Sequence, residues 1–404
     1  MKNKTLIALG IFCLLALSAG GCMGGQSKPQ GFSGVVSYDG ILYLGSTDGK
    51  IMAINPSARD QGLPFPSSSS GEWPFTFTLP SRGTLCGSSS VPVVIYGTPV
   101  TANGMVCVGI YNGKVLMLNS LIRSQNLPFP QAKDGEWTYP RTDDAIESIV
   151  GSPVVANDTV YVCSSDSRIY ALDMAYGDEK WRSAPLDGKL WTTPLVDGGT
   201  VYVATFDGHI YALSSSDGSL LPWVFEAEVG FVSAPVLYEG TIFAGSFDRN
   251  LYAVKVGQDK PLWEFTGGNW FWAAPVVDGD IVYAGCLDGK LYAINGRTGS
   301  ELWEFDAGSS IVSSPAMAGD LLVVTCDSGK SGDVYLVNAQ TGDGQRISNP
   351  DDPQNDERES IDASIKGHIC VQDGIAYICA QNNCLYAVDI ARARISWKFP
   401  LDIE

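Results

Sequence analysis

One phrase recurs in this chain at a nearly constant interval. Ser152-Pro153-Val154-Val155, Thr193-Pro194-Leu195-Val196, Ala234-Pro235-Val236-Leu237, Ala274-Pro275-Val276-Val277 and Ser314-Pro315-Ala316-Met317 follow one another every 40 or 41 residues. So long a fixed period requires stacked supersecondary units, because one unit cannot bury its apolar face alone. Each phrase runs into a turn such as Asp278-Gly279, an apolar run such as Ile281-Val282-Tyr283-Ala284-Gly285, a second turn such as Asp288-Gly289, and Leu291-Tyr292-Ala293-Ile294. Asp-Gly between short β-branched and aromatic runs is a strong hairpin signal, since both turn positions must tolerate positive φ. Thr298-Gly299 then turns the chain into Glu301-Leu302-Trp303-Glu304-Phe305. Each unit is therefore expected to be a four-stranded antiparallel meander.

The second hairpin counts the units: Asp48-Gly49, Asn112-Gly113, Asp166-Ser167, Asp207-Gly208, Asp248-Arg249, Asp288-Gly289, Gly332-Asp333 and Asn382-Asn383. Eight such units arranged radially close a ring with only short, protected edges. The expected fold is all-β, an eight-bladed β-propeller of four-stranded antiparallel blades over residues 31–404.

Ahead of the repeats, Lys2 and Lys4 precede an apolar run from Leu6 to Leu17 and the small residues Ser18-Ala19-Gly20-Gly21, ending at Cys22. That order reads as a secretory signal over residues 1–21. As a helix the run covers about 18 Å, short of a hydrocarbon core of about 30 Å. A cysteine after small residues resembles a bacterial lipobox, with Ala19 where the lipobox usually has Leu. The resemblance implies lipidation at Cys22, a lipidated linker over 22–30, and an exported protein held on the periplasmic or cell-surface side of a membrane by acyl chains. Ordinary signal cleavage, with Cys22 an incidental thiol, is the alternative. The net charge is −18, and −20 without Lys2 and Lys4, with no basic cluster in the sequence. Such a balance disfavours nucleic acid and anionic lipid headgroups as partners.

Spacing inside the units carries a family resemblance. Ala293, Gly299 and Trp303 stand at intervals of six and ten residues, and Ala171, Gly177 and Trp181 repeat them. Ala253 with Trp263 and Ala387 with Trp397 keep the ten-residue step, Trp223 comes one residue late, and the seventh unit has Arg346 at that place. The pattern resembles the tryptophan-docking motif of pyrroloquinoline-quinone-like repeat propellers. The resemblance implies that Trp181, Trp223, Trp263, Trp303 and Trp397 wedge between blades, each burying a large ring and donating its indole N–H to a backbone acceptor.

Two branches of that superfamily imply different functions. Quinoprotein dehydrogenases hold the quinone and calcium over the central channel, with an aspartate base and typically a disulfide between adjacent cysteines. This chain has no Cys-Cys pair, matches no Glu/Asn/Asp calcium set, and its Asp-Gly aspartates are accounted for as turn formers. The second branch is BamB-like, an outer-membrane β-barrel assembly lipoprotein that acts as a scaffold. Length, lipobox and uninterrupted blades resemble that branch. The expectation is a non-enzymatic, monomeric propeller that binds envelope proteins and needs neither the quinone (PQQ) nor calcium. The alternative is a small-ligand-binding or PQQ-dependent redox protein.

If the chain is a scaffold, its departures from the minimal repeat are candidate binding surfaces. Arg59-Asp60-Gln61-Gly62-Leu63-Pro64-Phe65-Pro66 with Gly71-Glu72-Trp73 recurs 64 residues later as Arg123-Ser124-Gln125-Asn126-Leu127-Pro128-Phe129-Pro130 with Gly135-Glu136-Trp137. Both segments follow the third strand of their units, so they emerge side by side. Leu63, Phe65, Leu127 and Phe129 are either partner-binding residues on stiff, pre-extended loops or a satellite core beneath them. A second group, Trp191, Phe231, Trp270 and Trp272, lies just before the innermost strands and should gather at one mouth of the channel. By the strand period Trp270 and Trp272 share a face and Phe271 points the other way.

Cysteine usage is less specific. Cys86, Cys107, Cys163, Cys286, Cys326, Cys370, Cys379 and Cys384 remain after Cys13 and Cys22 are set aside. Several fit strands where a small apolar residue is wanted. Cys370, Cys379 and Cys384 are close enough in sequence to suspect a pair, and His368 with Cys370 would share a strand face. The insertion Asp343 to Lys366 is strongly acidic and reads as a solvated loop.

Overall fold

A computed structural model describes residues 31, 33–79, 91–125, 127–142, 145–347 and 361–401. The signal segment 1–21, the linker 22–30 with Cys22, Cys86, and residues 348–360 of the acidic insertion lie outside the described residues.

All eight meanders form, and seven of the second hairpins turn where the sequence places them. Blades occupy residues 35–76, 100–139, 154–182, 195–226, 236–266, 276–306, 316–346 and 370–400, each with its four strands paired in sequence order. In the sixth blade these are Val276–Asp278, Ile281–Gly285, Lys290–Asn295 and Glu301–Asp306, with Val276 opposite Tyr283, Tyr283 opposite Ala293 and Ala293 opposite Trp303. First strands of adjacent blades approach one another, so they line the centre and fourth strands lie at the rim. The alternating directions give the ring two distinct faces. The upper face carries the first hairpins and the loops between third and fourth strands. The lower face carries the second hairpins and the blade-to-blade connections.

The second-hairpin aspartates do local work. Asp288 accepts the Lys290 N–H at 3.0 Å through one oxygen and the Tyr292 hydroxyl at 2.7 Å through the other. Asp166 with Arg168 and Tyr170, and Asp248 with Asn250 and Tyr252, repeat the arrangement. The seventh unit departs from the sequence reading. Its turn is Ser328 to Ser331, with Asp327 opposite Gly332, so Gly332-Asp333 opens the third strand rather than forming the turn. No Asp-Gly pair marks that longer hairpin, which is why sequence counting misplaced it.

The hydrophobic core is divided among the blade junctions. One cluster joins blades 5 and 6 through Phe243, Leu251, Trp263, Phe271, Val282 and Tyr292. Equivalent clusters fill the other seven junctions, including that of the last blade with the first.

Tryptophan docking is the device that recurs at these junctions. The indole N–H groups of Trp181, Trp223 and Trp263 donate to carbonyls of the following blade, Ser215, Gln258 and Gly296, each at 2.9 Å, and Trp303 donates to Ala339 at 3.2 Å. Trp397 packs on Tyr377 with ring centroids 6.0 Å apart, in the cluster between the last blade and the first. Two more tryptophans do the same work, though the sequence reading assigned them to the insertions. Trp73 lies opposite Ala53 and donates to the Ser120 carbonyl, and Trp137 lies opposite Met117 and donates to that of Met174, both at 2.9 Å.

The seventh blade lacks the device altogether. Its last hairpin has no bulge, so Gln345 stands opposite Leu336 and Arg346 opposite Tyr335, where the Arg346 guanidinium pairs with the Asp333 carboxylate. In the eighth blade Ala393, at φ 49°, occupies the left-handed turn position held by Gly299 and Gly342 in their units.

Candidate docking surfaces

The two candidate surfaces lie on opposite faces. The twin loops after the third strands of blades 1 and 2 emerge on the upper face, and the Trp191, Trp270 and Trp272 group lies on the lower.

Each twin loop begins with a short helix, Pro56–Asp60 or Ser120–Arg123, capped by Asn55 or Asn119 through its side-chain oxygen. Behind the helix lies an ion pair. The Arg59 guanidinium donates to both oxygens of Glu72, at 2.9 and 2.6 Å, and Glu72 also accepts the N–H groups of Asn55 and Ser67. Arg123 pairs with Glu136 at 2.7 Å and donates to the carbonyls of Leu127 and Pro128. Buried charges of this kind persist only where nearly every donor and acceptor is matched, as in these loops.

The phenylalanines turn inward and backward. Phe65 packs on Phe399 of the last blade at 5.2 Å, and Phe129 on Phe75 and Phe77 of the first at 5.1 and 6.0 Å. The Arg59 guanidinium also lies 4.9 Å from the Phe399 ring centre. Both rings are thus satellite core, each clamping its blade to the preceding one. For Phe65 that contact closes the ring, beside the Val35 N–H to His368 carbonyl bond at 3.2 Å. Leu63 and Leu127 remain at the surface, 40% and 36% exposed, and Leu121 on the second helix is 75% exposed.

On the lower face the expected aromatic gathering is present, with different members. Phe231 is fully buried against Phe225 and Tyr252, at the core position that Phe271 takes one blade on. It is not presented to a partner. Trp191, Trp270 and Trp272 are partly exposed, with the buried Phe271 between the last two. Trp191 contacts Phe206 at 4.8 Å, Phe206 contacts Phe247 at 4.9 Å, and Phe247 contacts Trp270 at 5.0 Å, all near edge-to-face. Phe206 and Phe247 were missed from sequence. Each stands immediately before the second-hairpin aspartate, a position that faces the same mouth. The backbone secures the row: Phe206 N–H donates to Lys189, Phe247 to Gly230 and Leu287 to Trp270. The Trp191 indole donates to the Ser165 hydroxyl at 2.8 Å, and the Lys189 ammonium lies 5.8 Å from the Trp191 ring centre.

Other features offer less. Shallow clefts of about 330, 470 and 570 Å³ open on the upper face between blades 5 and 6, 2 and 3, and 7 and 8. Among the described residues no three His, Cys, Asp or Glu side chains converge where a metal ion could sit. The seven described cysteines are free thiols. Cys370 and Cys379 pack into the core between blades 8 and 1, whereas Cys384 packs into that between 7 and 8. Burial pushes the Cys286 thiol up to about 12 and that of Cys326 to about 11. Among the described residues no helix is long and apolar enough to cross a membrane.

Comparison with known proteins agrees with this architecture. No curated protein sequence matches the chain at a significant level. Among solved structures, the fold is similar to BamB from Moraxella catarrhalis, at 17% identity over 86% of this chain and 93% of that one, with a TM-score of 0.59. It is similar to the same degree, TM-score 0.59, to the computationally designed Ika8 protein, at 14% identity over 87% and 94% of the two chains. The family model described as outer membrane protein assembly factor BamB matches residues 88–183, 136–231 and 223–402, most of the ring, and the chain belongs to that family.

Proposed function

We propose that this protein is a non-catalytic, lipid-anchored scaffold that binds envelope proteins and serves outer-membrane protein assembly. The observation carrying the proposal is the family match across residues 88–402, on a ring whose blades follow one another in chain order. A rigid ring with two differently furnished faces is suited to holding partners rather than transforming them.

The anchor in this reading is Cys22. Gly31 lies with Thr47, Gln381 and Leu401 around one small recess on the lower face, so the lipidated end joins the ring there. The step from Cys22 to Gly31 reaches at most about 30 Å fully extended. A lipid at Cys22 therefore keeps the lower-face recess around Gly31 within about 30 Å of the bilayer.

The test is affinity capture from cross-linked membranes with the intact protein and with Cys22→Ala. The expected result is recovery of outer-membrane assembly proteins by the intact form, and a shift of Cys22→Ala to the soluble fraction. Recovery of no such protein, together with unchanged membrane retention of Cys22→Ala, would overturn the proposal.

A further inference from the structure

We propose that the lower-face aromatic row docks a basic polypeptide segment, with arginine or lysine side chains of the partner set over Trp191 and Trp270 and paired with the carboxylates between them. This inference rests on the scaffold reading and specifies the partner's chemistry at one of its surfaces. The row from Trp191 through Phe206 and Phe247 to Trp270 spans up to about 15 Å, the length of about five extended residues.

Two observations select a cationic occupant. The chain already sets one ammonium, that of Lys189, 5.8 Å from the Trp191 ring centre, so the electron-rich face of this ring takes a cation, and a partner's cation would take the place of Lys189 there. The lower-face connections and hairpins of blades 4 and 5 bring Asp187, Asp207, Glu228 and Asp248, against Lys189 and Arg249. Asp207, beside Gly188, and Glu228 are exposed. On a chain with a net charge of −18, an acidic or phosphate-bearing partner is repelled, and a basic one is attracted before contact. Aromatic rings then give local affinity that uniform surface charge does not.

The experiment uses the propeller with its aromatic row intact and a short fluorescein-labelled peptide of alternating arginine and serine, with a glutamate-for-arginine peptide as its opposite. Anisotropy is read at low and at physiological salt. The expected result is binding of the arginine peptide alone, weakened by salt. Asp207→Asn with Glu228→Gln, at exposed positions, should lower affinity about tenfold, and Trp191→Leu with Trp270→Leu by a similar factor. The upper-face pair Glu239→Gln with Glu301→Gln removes the same charge and should change affinity less than about twofold. Equal losses from the upper-face and lower-face pairs would reduce the effect to net charge and overturn the inference, as would binding of the glutamate peptide or of neither peptide. Should the tryptophan variant melt early, the carboxylate pairs alone decide. Envelope capture that succeeds while the arginine peptide fails removes this inference and leaves the scaffold; the reverse result removes the scaffold's assignment to outer-membrane assembly.

Discussion

Arg123 and Glu136 face each other at 2.7 Å with their side chains 3% and 0% exposed, and the pair holds an entire loop in register. Glu136 ties the start of the α-helix to Gln131, and Arg123 ties the helix to the Leu127 and Pro128 carbonyls. Removing one partner strands a buried charge. Glu136→Ala is therefore expected to cost about 3–5 kcal/mol, read as a lower urea midpoint with an unchanged slope. An effect below about 1 kcal/mol, the range of exposed pairs, would show that the loop does not depend on the pair.

Gly299 tests the docking device without touching a tryptophan. Its φ is 74°, and a Cβ there would lie 2.6 Å from Cγ of Trp263 in the preceding blade. Gly299→Ala should destabilise by strain plus overpacking, about 2–4 kcal/mol. Gly279, at φ 55° with nothing within 4 Å, provides the comparison. Gly279→Ala should cost only about 1–2 kcal/mol, the left-handed penalty. Equal losses at both sites in a denaturant titration would mean that the indole contact adds nothing.

Alkaline titration should expose the aspartate-bound tyrosines. Burial first, then the hydrogen bond to a carboxylate, pushes the phenols of Tyr170, Tyr252 and Tyr292 well above their ordinary value. A phenol raised in the folded state favours folding fully below the unfolded pKa of about 10, and that contribution is lost as pH rises through the folded value. Ultraviolet absorbance should therefore show these phenols still protonated at about pH 11, with late ionisation coinciding with loss of far-ultraviolet circular dichroism. Full tyrosine ionisation near pH 10 in a folded protein would contradict the arrangement.

Thiol labelling should be equally discriminating. Cys286 and Cys326 are buried, with their thiols pushed to about 12 and about 11, and Cys107 and Cys163 are buried and raised further. Only the thiolate reacts. Iodoacetamide at about pH 8, near the ordinary thiol value, should leave these four unmodified in the folded protein and alkylate them in denaturant, as read by peptide mass spectrometry. Rapid labelling of Cys163 in the native state would mean that the junction between blades 3 and 4 opens.

Much of the ring was legible because its signals are local. Asp288-Gly289 forms its hairpin through bonds within four residues, and Ala293 meets Trp303 across a single turn. Trp73 and Trp137 were illegible by the same logic, because insertions separate them from their strand partners Ala53 and Met117 by twenty residues, not ten. The lower-face group was half legible. Trp191 and Trp270 stand out by composition, but Phe206 and Phe247 join them only because hairpins of successive blades meet at one mouth.

The amino-acid sequence by itself determined the meander, the number of blades and the residue types at their junctions, since each follows from turn chemistry and strand period within some forty residues. Tertiary structure alone decided which blade each tryptophan enters, that Phe65 closes the ring against Phe399, 334 residues away, and that the twin loops and the aromatic row face opposite ways. Those outcomes depend on packing between units, and a repeat pattern carries no record of which neighbour lies across the junction.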